Sequence, residues 1–103
     1  MKFRKKPLVI EAVQLRWDTW SEMYEFADMG KLEDGKPEEC YVDAAGHALP
    51  KGSESLSMGL HIPTLEGLML ALEGDWVIRG VKGELYACKP DVFEATYERV
   101  EDL

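Results

Sequence analysis

One stretch, residues 74–90, restricts the fold of this chain more than any other. It reads Gly-Asp-Trp-Val-Ile-Arg-Gly-Val-Lys-Gly-Glu-Leu-Tyr-Ala-Cys-Lys-Pro. Residues 76–78 are strong strand formers, and residues 85–87 continue the extended pattern after a break. The break has Gly80 and Gly83 at its ends, where a tight turn requires backbone angles that other residues resist. The stretch therefore predicts an antiparallel β-hairpin.

The first 30 residues predict a strand followed by a helix. In residues 8–15 both alternating sets are largely apolar, which is typical of a strand covered on both faces or lining a small barrel. Residues 20–29 carry an apolar and aromatic stripe at helical spacing. Thr19 and Glu22 have the spacing of a capping box, and Gly30 suits the end of the helix. We expect the striped face of this helix to pack on the sheet.

The rest of the chain predicts short strands separated by turns. These segments are a short strand at 40–42, a long loop at 43–55, strands at 56–62 and 68–72 joined by a turn at 64–67, a short helical turn after Pro90 and a final strand at 95–100. One helix beside a run of antiparallel strands is the pattern of an α+β fold. We expect one domain, residues 1–103, in which a helix packs on a curled antiparallel sheet or a small, partly closed β-barrel.

Composition restricts the partners and the location. The formal net charge is −8, so we expect no binding to nucleic acid or to anionic membranes. Two cysteines do not make a disulfide scaffold, the apolar run at 68–72 is too short to span a bilayer, and no signal-peptide pattern is present. We therefore expect a cytoplasmic protein. Four of the twelve basic residues stand together, a pattern typical of a solvated strand entrance; they are Lys2, Arg4, Lys5 and Lys6.

Three stretches resemble a family of small bacteriophage and prophage proteins. They are the hairpin with its continuation through residues 88–94 and 96–98, the opening at residues 1–12, and the turn at 64–67. The resemblance implies that the chain is encoded by a phage or prophage and acts in a host cell. It implies no catalytic residue, because the family is described mostly as hypothetical phage proteins. Residues 31–55 match nothing in the family.

Two sets of reactive side chains have the residue types of a functional site, and their spacing in the sequence decides whether they form one. Cys88 and His61 are the types needed for a nucleophile and its base, but nothing in their spacing brings them together. Cys40 and His47 would complete a zinc set with them, yet the paired short separations of zinc motifs are missing. We therefore expect no metal and no cofactor. Four carboxylates at turns and strand ends are interpreted as structural; they are Asp75, Glu84, Asp91 and Glu94.

The hairpin turn offers a candidate anion site. Its glycines favour a backbone cradle for an anion, and Arg79 and Lys82 flank the turn. Lys89 stands at the far end of its strand, roughly 20 Å from Gly83 at about 3.3 Å per residue, and therefore belongs to a different surface or is supplied by a second chain. The candidate ligand-binding residues are accordingly Arg79 and Lys82.

The leading hypothesis is a small, non-enzymatic binding or interaction domain whose partner is a host or phage protein. One alternative is a small enzyme or sequestering protein acting on a nucleotide-like anionic ligand, and another is a virion-associated or assembly protein. Aromatic residues of the hairpin region that lie outside the core would mark a partner surface. A small sheet has a free edge, and the basic start of the chain complements the acidic remainder, so we also predict a homodimer.

Overall fold

The computed structural model describes residues 1–4, 6–30, 41–43, 45, 47 and 58–100. Over these residues the chain forms two helices and five strands in two antiparallel sheets, neither closed into a barrel. The elements are β1 (Glu11–Gln14), α1 (Trp20–Phe26), β2 (Gly59–Thr64), β3 (Gly67–Leu72), β4 (Trp76–Arg79), β5 (Leu85–Cys88) and α2 (Pro90–Thr96). The predicted α+β fold on a curled antiparallel sheet is thus confirmed.

The predicted hairpin forms strands β4 and β5 of a three-stranded sheet with the order β1-β4-β5, in which β4 is the central strand. Val77 lies opposite Val13 of β1 on one side and opposite Ala87 of β5 on the other. In the turn, the Gly83 N–H donates to the carbonyl of Gly80 at 3.0 Å. Gly83 has a φ of +82°, a value that residues with a side chain rarely adopt. The glycine signal in the sequence therefore located this turn correctly.

Both faces of this sheet are covered. Val13, Val77 and Leu85 belong to the main core, together with α1 and the hairpin of β2 and β3. The next residue of β4, Ile78, is also fully buried, although it points to the opposite face because strand side chains alternate. On that face α2 contacts the sheet through Phe93. Of the residues 8–15 that the sequence predicted to be covered on both faces, Val13 and Leu15 are buried, whereas Leu8 and Val9 are exposed.

The strands β2 and β3 form a second hairpin. Thr64 pairs with Gly67, and the Thr64 hydroxyl donates to the Gly67 carbonyl at 2.6 Å. The predicted turn at 64–67 and the predicted strand at 68–72 are confirmed. The strand predicted at 56–62 begins at Gly59 within the described residues and continues through Thr64.

Helix α1 supplies the apolar stripe that the sequence indicated. Trp20, Met23 and Ala27 are buried in the main core. The helix ends at Phe26 rather than at residue 29, and Asp28 has a φ of +56°, which no longer continues a right-handed helix. Thr19 makes no capping hydrogen bond to the helix. Its hydroxyl donates instead to the Gln14 carbonyl at 2.8 Å and so fastens the helix entrance to β1.

The end of the chain differs from the prediction. Helix α2 extends through Thr96, and residues 97–100 belong to no strand, so the strand predicted at 95–100 is wrong and the fold has two helices rather than one. Pro90 at the first helical turn and Asp91 beside it favour a helix start. The rings of Phe93 and Tyr97, four residues apart, contact each other at a tilt of 30° with centroids 5.0 Å apart, as neighbours at helical spacing do.

Some predictions fall on the less described middle of the chain. Of the short strand predicted at 40–42, Tyr41 forms an isolated bridge with Met58, while Cys40 lies outside the described residues. Most of the predicted loop at 43–55 also lies outside them. Strand β1 is shorter than the predicted residues 8–15, since ladder pairing is confined to Glu11–Gln14.

Candidate functional site

The outer edge of β1 carries backbone groups that the sheet does not use. The Leu15 N–H donates to the Asp75 carbonyl at 2.8 Å. Because hydrogen bonds alternate along an antiparallel pair, Glu11 and Val13 bond to β4 while Ala12 and Gln14 direct their N–H groups away from it. Within the described residues β4 is the only strand beside β1. As far as the described residues go, the edge of β1 is therefore open to another strand.

A groove of about 520 Å³ lies along this edge on the α2 face of the sheet. Residues 8–14 form one side, and an aromatic cluster forms another. In that cluster Trp76 and Phe93 stack with centroids 4.1 Å apart and planes at 8°. The hydroxyl of Tyr97 lies 3.3 Å from that of Tyr86 on β5, which fastens the end of α2 to the sheet. The groove is suited to apolar side chains.

Two arginines, Arg16 and Arg99, line the groove, and the first is paired with a carboxylate. Arg16 Nη2 lies 2.6 Å from Oδ2 of Asp18. This hydrogen bond holds the pKa of Asp18 below its usual value. Both side chains are largely exposed, so the pair contributes little to stability. Arg16 is therefore engaged with Asp18 where it borders the groove.

A second cavity, of about 450 Å³, lies on the α1 side of the same edge and is acidic. It is lined by Glu11 of β1 and by Glu22 and Glu25 of α1. Its one cation among the described lining residues, Arg79, donates to the Phe26 carbonyl at the end of α1. The Arg79 guanidinium also lies over the Phe26 ring, 4.6 Å from its centroid. Three carboxylates thus face a single arginine that is held by the helix.

The two cavities adjoin each other across β1. Both are lined by Glu11, Ala12, Val13 and Glu22. The edge of the strand therefore runs between a groove that contains the aromatic cluster on one face and an acidic cavity on the other. A strand laid along this edge would send alternate side chains into the two environments.

The structure places the predicted anion-binding residues in different surroundings. Arg79 contacts α1, whereas the side chain of Lys82 is exposed in the turn. The Lys82 N–H donates to the Glu84 carboxylate at 2.9 Å, and the N–H groups of Gly80 and Gly83 donate to backbone carbonyls. An anion in this turn would have to displace Glu84. Lys89, as expected, lies elsewhere, with its Nζ 3.1 Å from Asp75.

The reactive side chains considered in the sequence do not form a site in the described part of the chain. Burial raises the pKa of the Cys88 thiol, and the charges of Asp75 and Asp91 raise it further, which lowers its nucleophilicity at neutral pH. His61 lies on β2, in the other sheet. Among the described residues, no three His, Cys, Asp or Glu side chains are grouped to hold a metal. Neither described helix is long and apolar enough to cross a membrane.

Sequence reasoning missed the residues that shape the two cavities. The spacing of Phe93 and Tyr97 was a signal for a helix face, but the intervening residues were interpreted as the start of a strand. Glu22 was noted as a helix cap, while its position beside Glu11 depends on how α1 packs against β1.

Comparison with models of known protein families found no match, and comparisons with curated proteins and with solved structures found none either.

Proposed function

We propose that this chain is a small, non-enzymatic interaction domain, encoded by a phage or prophage and acting in the host cytoplasm. It binds an extended segment of a partner protein by adding that segment as a strand beside β1. The observation that carries the proposal is the open edge of β1 between an aromatic groove and an acidic cavity. The phage origin is supported by the residues of the hairpin and of the chain start.

Backbone groups supply the affinity in this mode of binding. Ala12 and Gln14 offer N–H groups that point away from β4, and an added strand would accept them, as in other sheet-edge complexes. The hydroxyl of Thr19 already occupies the Gln14 carbonyl, so the new ladder is centred on Ala12. This pairing requires no particular sequence in the partner segment.

Side chains supply the selectivity. One face of the added strand meets Trp76, Phe93 and Tyr97, which favours apolar side chains. The other face meets the carboxylates of Glu11 and Glu22, which favours lysine or arginine. The preferred segment therefore alternates apolar and basic residues. The alternative of an enzyme or sequestering protein for a nucleotide-like anion has less support, because Arg79 donates to the Phe26 carbonyl and the Lys82 N–H already donates to the Glu84 carboxylate.

The test uses a synthetic seven-residue peptide that alternates valine and lysine, with binding measured by fluorescence anisotropy. We expect it to bind, and we expect a peptide with glutamate in place of lysine to bind at least about tenfold more weakly. A third peptide keeps all side chains but carries N-methyl groups on alternate residues. Two versions are made, with the N-methyl groups on the odd or on the even positions. The version that methylates the N–H groups facing β1 should not bind, because the ladder loses its donors.

The matched protein variant is Ala12→Pro, which removes an outward N–H without removing a bond to β4; proline is tolerated at such edge positions. It should fold, by circular dichroism, and bind the lysine peptide at least about tenfold more weakly. Equal binding by the folded variant, or no binding of the lysine peptide to the wild-type chain at millimolar concentration, would contradict strand addition at β1.

A further inference from the structure

We infer that the segment occupying this edge is residues 1–4 of a second copy of the chain, so that two copies exchange these segments reciprocally. The inference rests on the proposed function, since it uses the same edge, and it names the partner. The basic arm, defined as residues 1–4, reads Met-Lys-Phe-Arg. Its chemistry fits both cavities.

The alternation in the basic arm matches the two sides of β1. In an extended strand Met1 and Phe3 lie on one face, and Lys2 and Arg4 lie on the other. The apolar pair suits the aromatic groove and the basic pair suits the acidic cavity. In the single chain the apolar side chains of the arm are exposed to solvent, since Met1 is fully exposed and Phe3 is 88% exposed.

Charge complementarity favours a second copy as that partner. Residues 1–6 hold four of the twelve basic residues and no acidic one. The remaining residues hold the other eight basic and all twenty acidic residues, which leaves them with a formal net charge of −12. The arm of one copy is therefore attracted to the body of another. At the edge itself, Glu11, Glu22 and Glu25 supply the negative charge.

The strand register is compatible with this exchange. In an antiparallel pair, residues directly opposite each other share a face. When Phe3 of one copy lies opposite Ala12 of the other, Arg4 lies opposite Glu11. Phe3 then enters the groove face, and Arg4 enters the acidic face beside an oppositely charged partner. Both sets of contacts are satisfied by a single register.

The reciprocal exchange of arms produces a closed dimer rather than a longer chain of copies. Two antiparallel segments related by a two-fold axis make the same contacts twice, so two arms fill two edges and none is left over. Pro7 lies near that axis and lacks an N–H. The pairing is therefore carried by the two arms rather than by one continuous ribbon.

The first measurement is the mass of the 103-residue chain in solution by light scattering, from micromolar to millimolar concentration. We expect a dimer of the 11.7 kDa chain that dissociates as salt is raised, because screening weakens the exposed charge pairs. The variant Lys2→Glu with Arg4→Glu should be monomeric, with a dissociation constant raised at least about tenfold. Lys82→Glu, a charge reversal at an exposed site outside both cavities, is the control and should remain dimeric.

The sharpest test swaps the charges of the basic arm and of the acidic cavity. Adding Glu22→Lys and Glu25→Lys to the reversed arm should restore the dimer, whereas these two changes in the wild-type chain should abolish it. Phe3→Asp should also give a monomer, and it should melt at the same temperature as the monomeric Lys2→Glu, Arg4→Glu variant. A dimer that persists in both arm variants would overturn the inference, because it would use another face.

The outcomes separate this inference from the proposed function. A wild-type chain that stays monomeric at every concentration but binds the alternating valine–lysine peptide leaves the strand-accepting edge supported and the second copy refuted. A monomer that also fails to bind the peptide refutes both. A dimer that the peptide competes apart, with the arm variants monomeric, supports both.

Discussion

The ammonium group of Lys89 lies 3.1 Å from Oδ2 of Asp75 and closes the base of the β4–β5 hairpin. The Asp75 side chain is only 5% exposed, whereas that of Lys89 is 60% exposed. The same carboxylate oxygen accepts the N–H of Leu72 at 2.9 Å. One buried carboxylate thus joins the end of β3 to the residue that follows β5.

We expect Asp75→Ala to lower the free energy of unfolding by about 2–4 kcal/mol, because it leaves a backbone donor and a lysine without their acceptor. Asp75→Asn keeps an acceptor for Leu72 and should cost less. Lys89→Ala should cost about 1 kcal/mol or less, since Lys89 is largely solvated. Urea denaturation measures all three. An Asp75→Ala chain as stable as wild type would show that the carboxylate does not hold this junction.

The Trp76–Phe93 stack predicts a second stability difference. Trp76→Ala should cost about 3 kcal/mol, because the ring packs between β4 and α2 and the site cannot collapse fully. Trp76→Phe should cost less than about 1.5 kcal/mol. It retains an aromatic ring against Phe93 and removes a buried indole N–H that has no acceptor among the described residues. Equal losses in the two variants would indicate that stacking does not matter here.

The sequence was informative where structure is decided locally. Gly80 and Gly83 located the turn, and the strand-forming residues 76–78 located the strand, because both signals depend on a residue and its near neighbours. The end of the chain was mistaken because Thr96 and Tyr97 favour strands by propensity, while the stacking of Phe93 on Trp76 favours a helix. Tertiary contact decided against propensity there.

The candidate site was less predictable, because its residues meet only in the fold. Arg79 was chosen for its position beside a glycine turn, yet its side chain reaches Phe26, 53 residues earlier in the chain. No local pattern reports such a contact. The open edge of β1 depends on the strand order, which places β4 rather than β1 at the centre of the sheet.

The hydrogen-bonded pair Tyr86 and Tyr97 makes the free energy of unfolding depend on pH in the alkaline range. The hydrogen bond to Tyr97, with burial, raises the pKa of Tyr86 to about 12, whereas an unfolded tyrosine titrates near pH 10. The folded state therefore holds this proton more tightly. The stabilisation is complete below about pH 10 and is lost as the pH rises towards 12. Denaturation midpoints measured across this range should fall.

The control for this prediction is Tyr97→Phe, which removes the hydroxyl and keeps the ring against Phe93. The pKa of Tyr86, followed by the NMR signal of its Cζ carbon, should move down towards the value of an unfolded tyrosine. The fall in stability above pH 10 should become shallower. An unchanged Tyr86 titration in the variant would exclude the hydroxyl pair as the cause.

The Cys88 thiol should be a poor nucleophile. Burial and the nearby carboxylates raise its pKa, so the reactive thiolate is scarcer at about pH 8 than in an unperturbed cysteine. In a Cys40→Ser background, which isolates this thiol, alkylation by iodoacetamide should be slower than that of the same chain unfolded in urea. Asp91→Asn should speed it. Alkylation of the folded chain as fast as that of the unfolded chain would contradict the raised pKa.

Substitutions at Arg79 and Lys82 distinguish a structural role of these residues from a role in an anion site. Arg79→Ala should cost about 1–2 kcal/mol, because it removes a charge-assisted hydrogen bond to the end of α1 and the contact with the Phe26 ring. Arg79→Lys keeps the charge but not the planar fork, and should recover only part of the loss. Lys82→Ala should stay within about 0.5 kcal/mol of wild type, as exposed substitutions do.

Inorganic phosphate then tests the turn directly. We expect phosphate, compared with sodium chloride at equal ionic strength, to leave the melting temperature of the wild-type chain unchanged, because the Glu84 carboxylate already accepts the Lys82 N–H. A rise that grows with phosphate concentration and disappears in Lys82→Ala would instead establish an anion site at this turn. Its persistence in Lys82→Ala would place the phosphate elsewhere. Glu84→Gln, which weakens the competing acceptor, should be the variant most able to bind the anion.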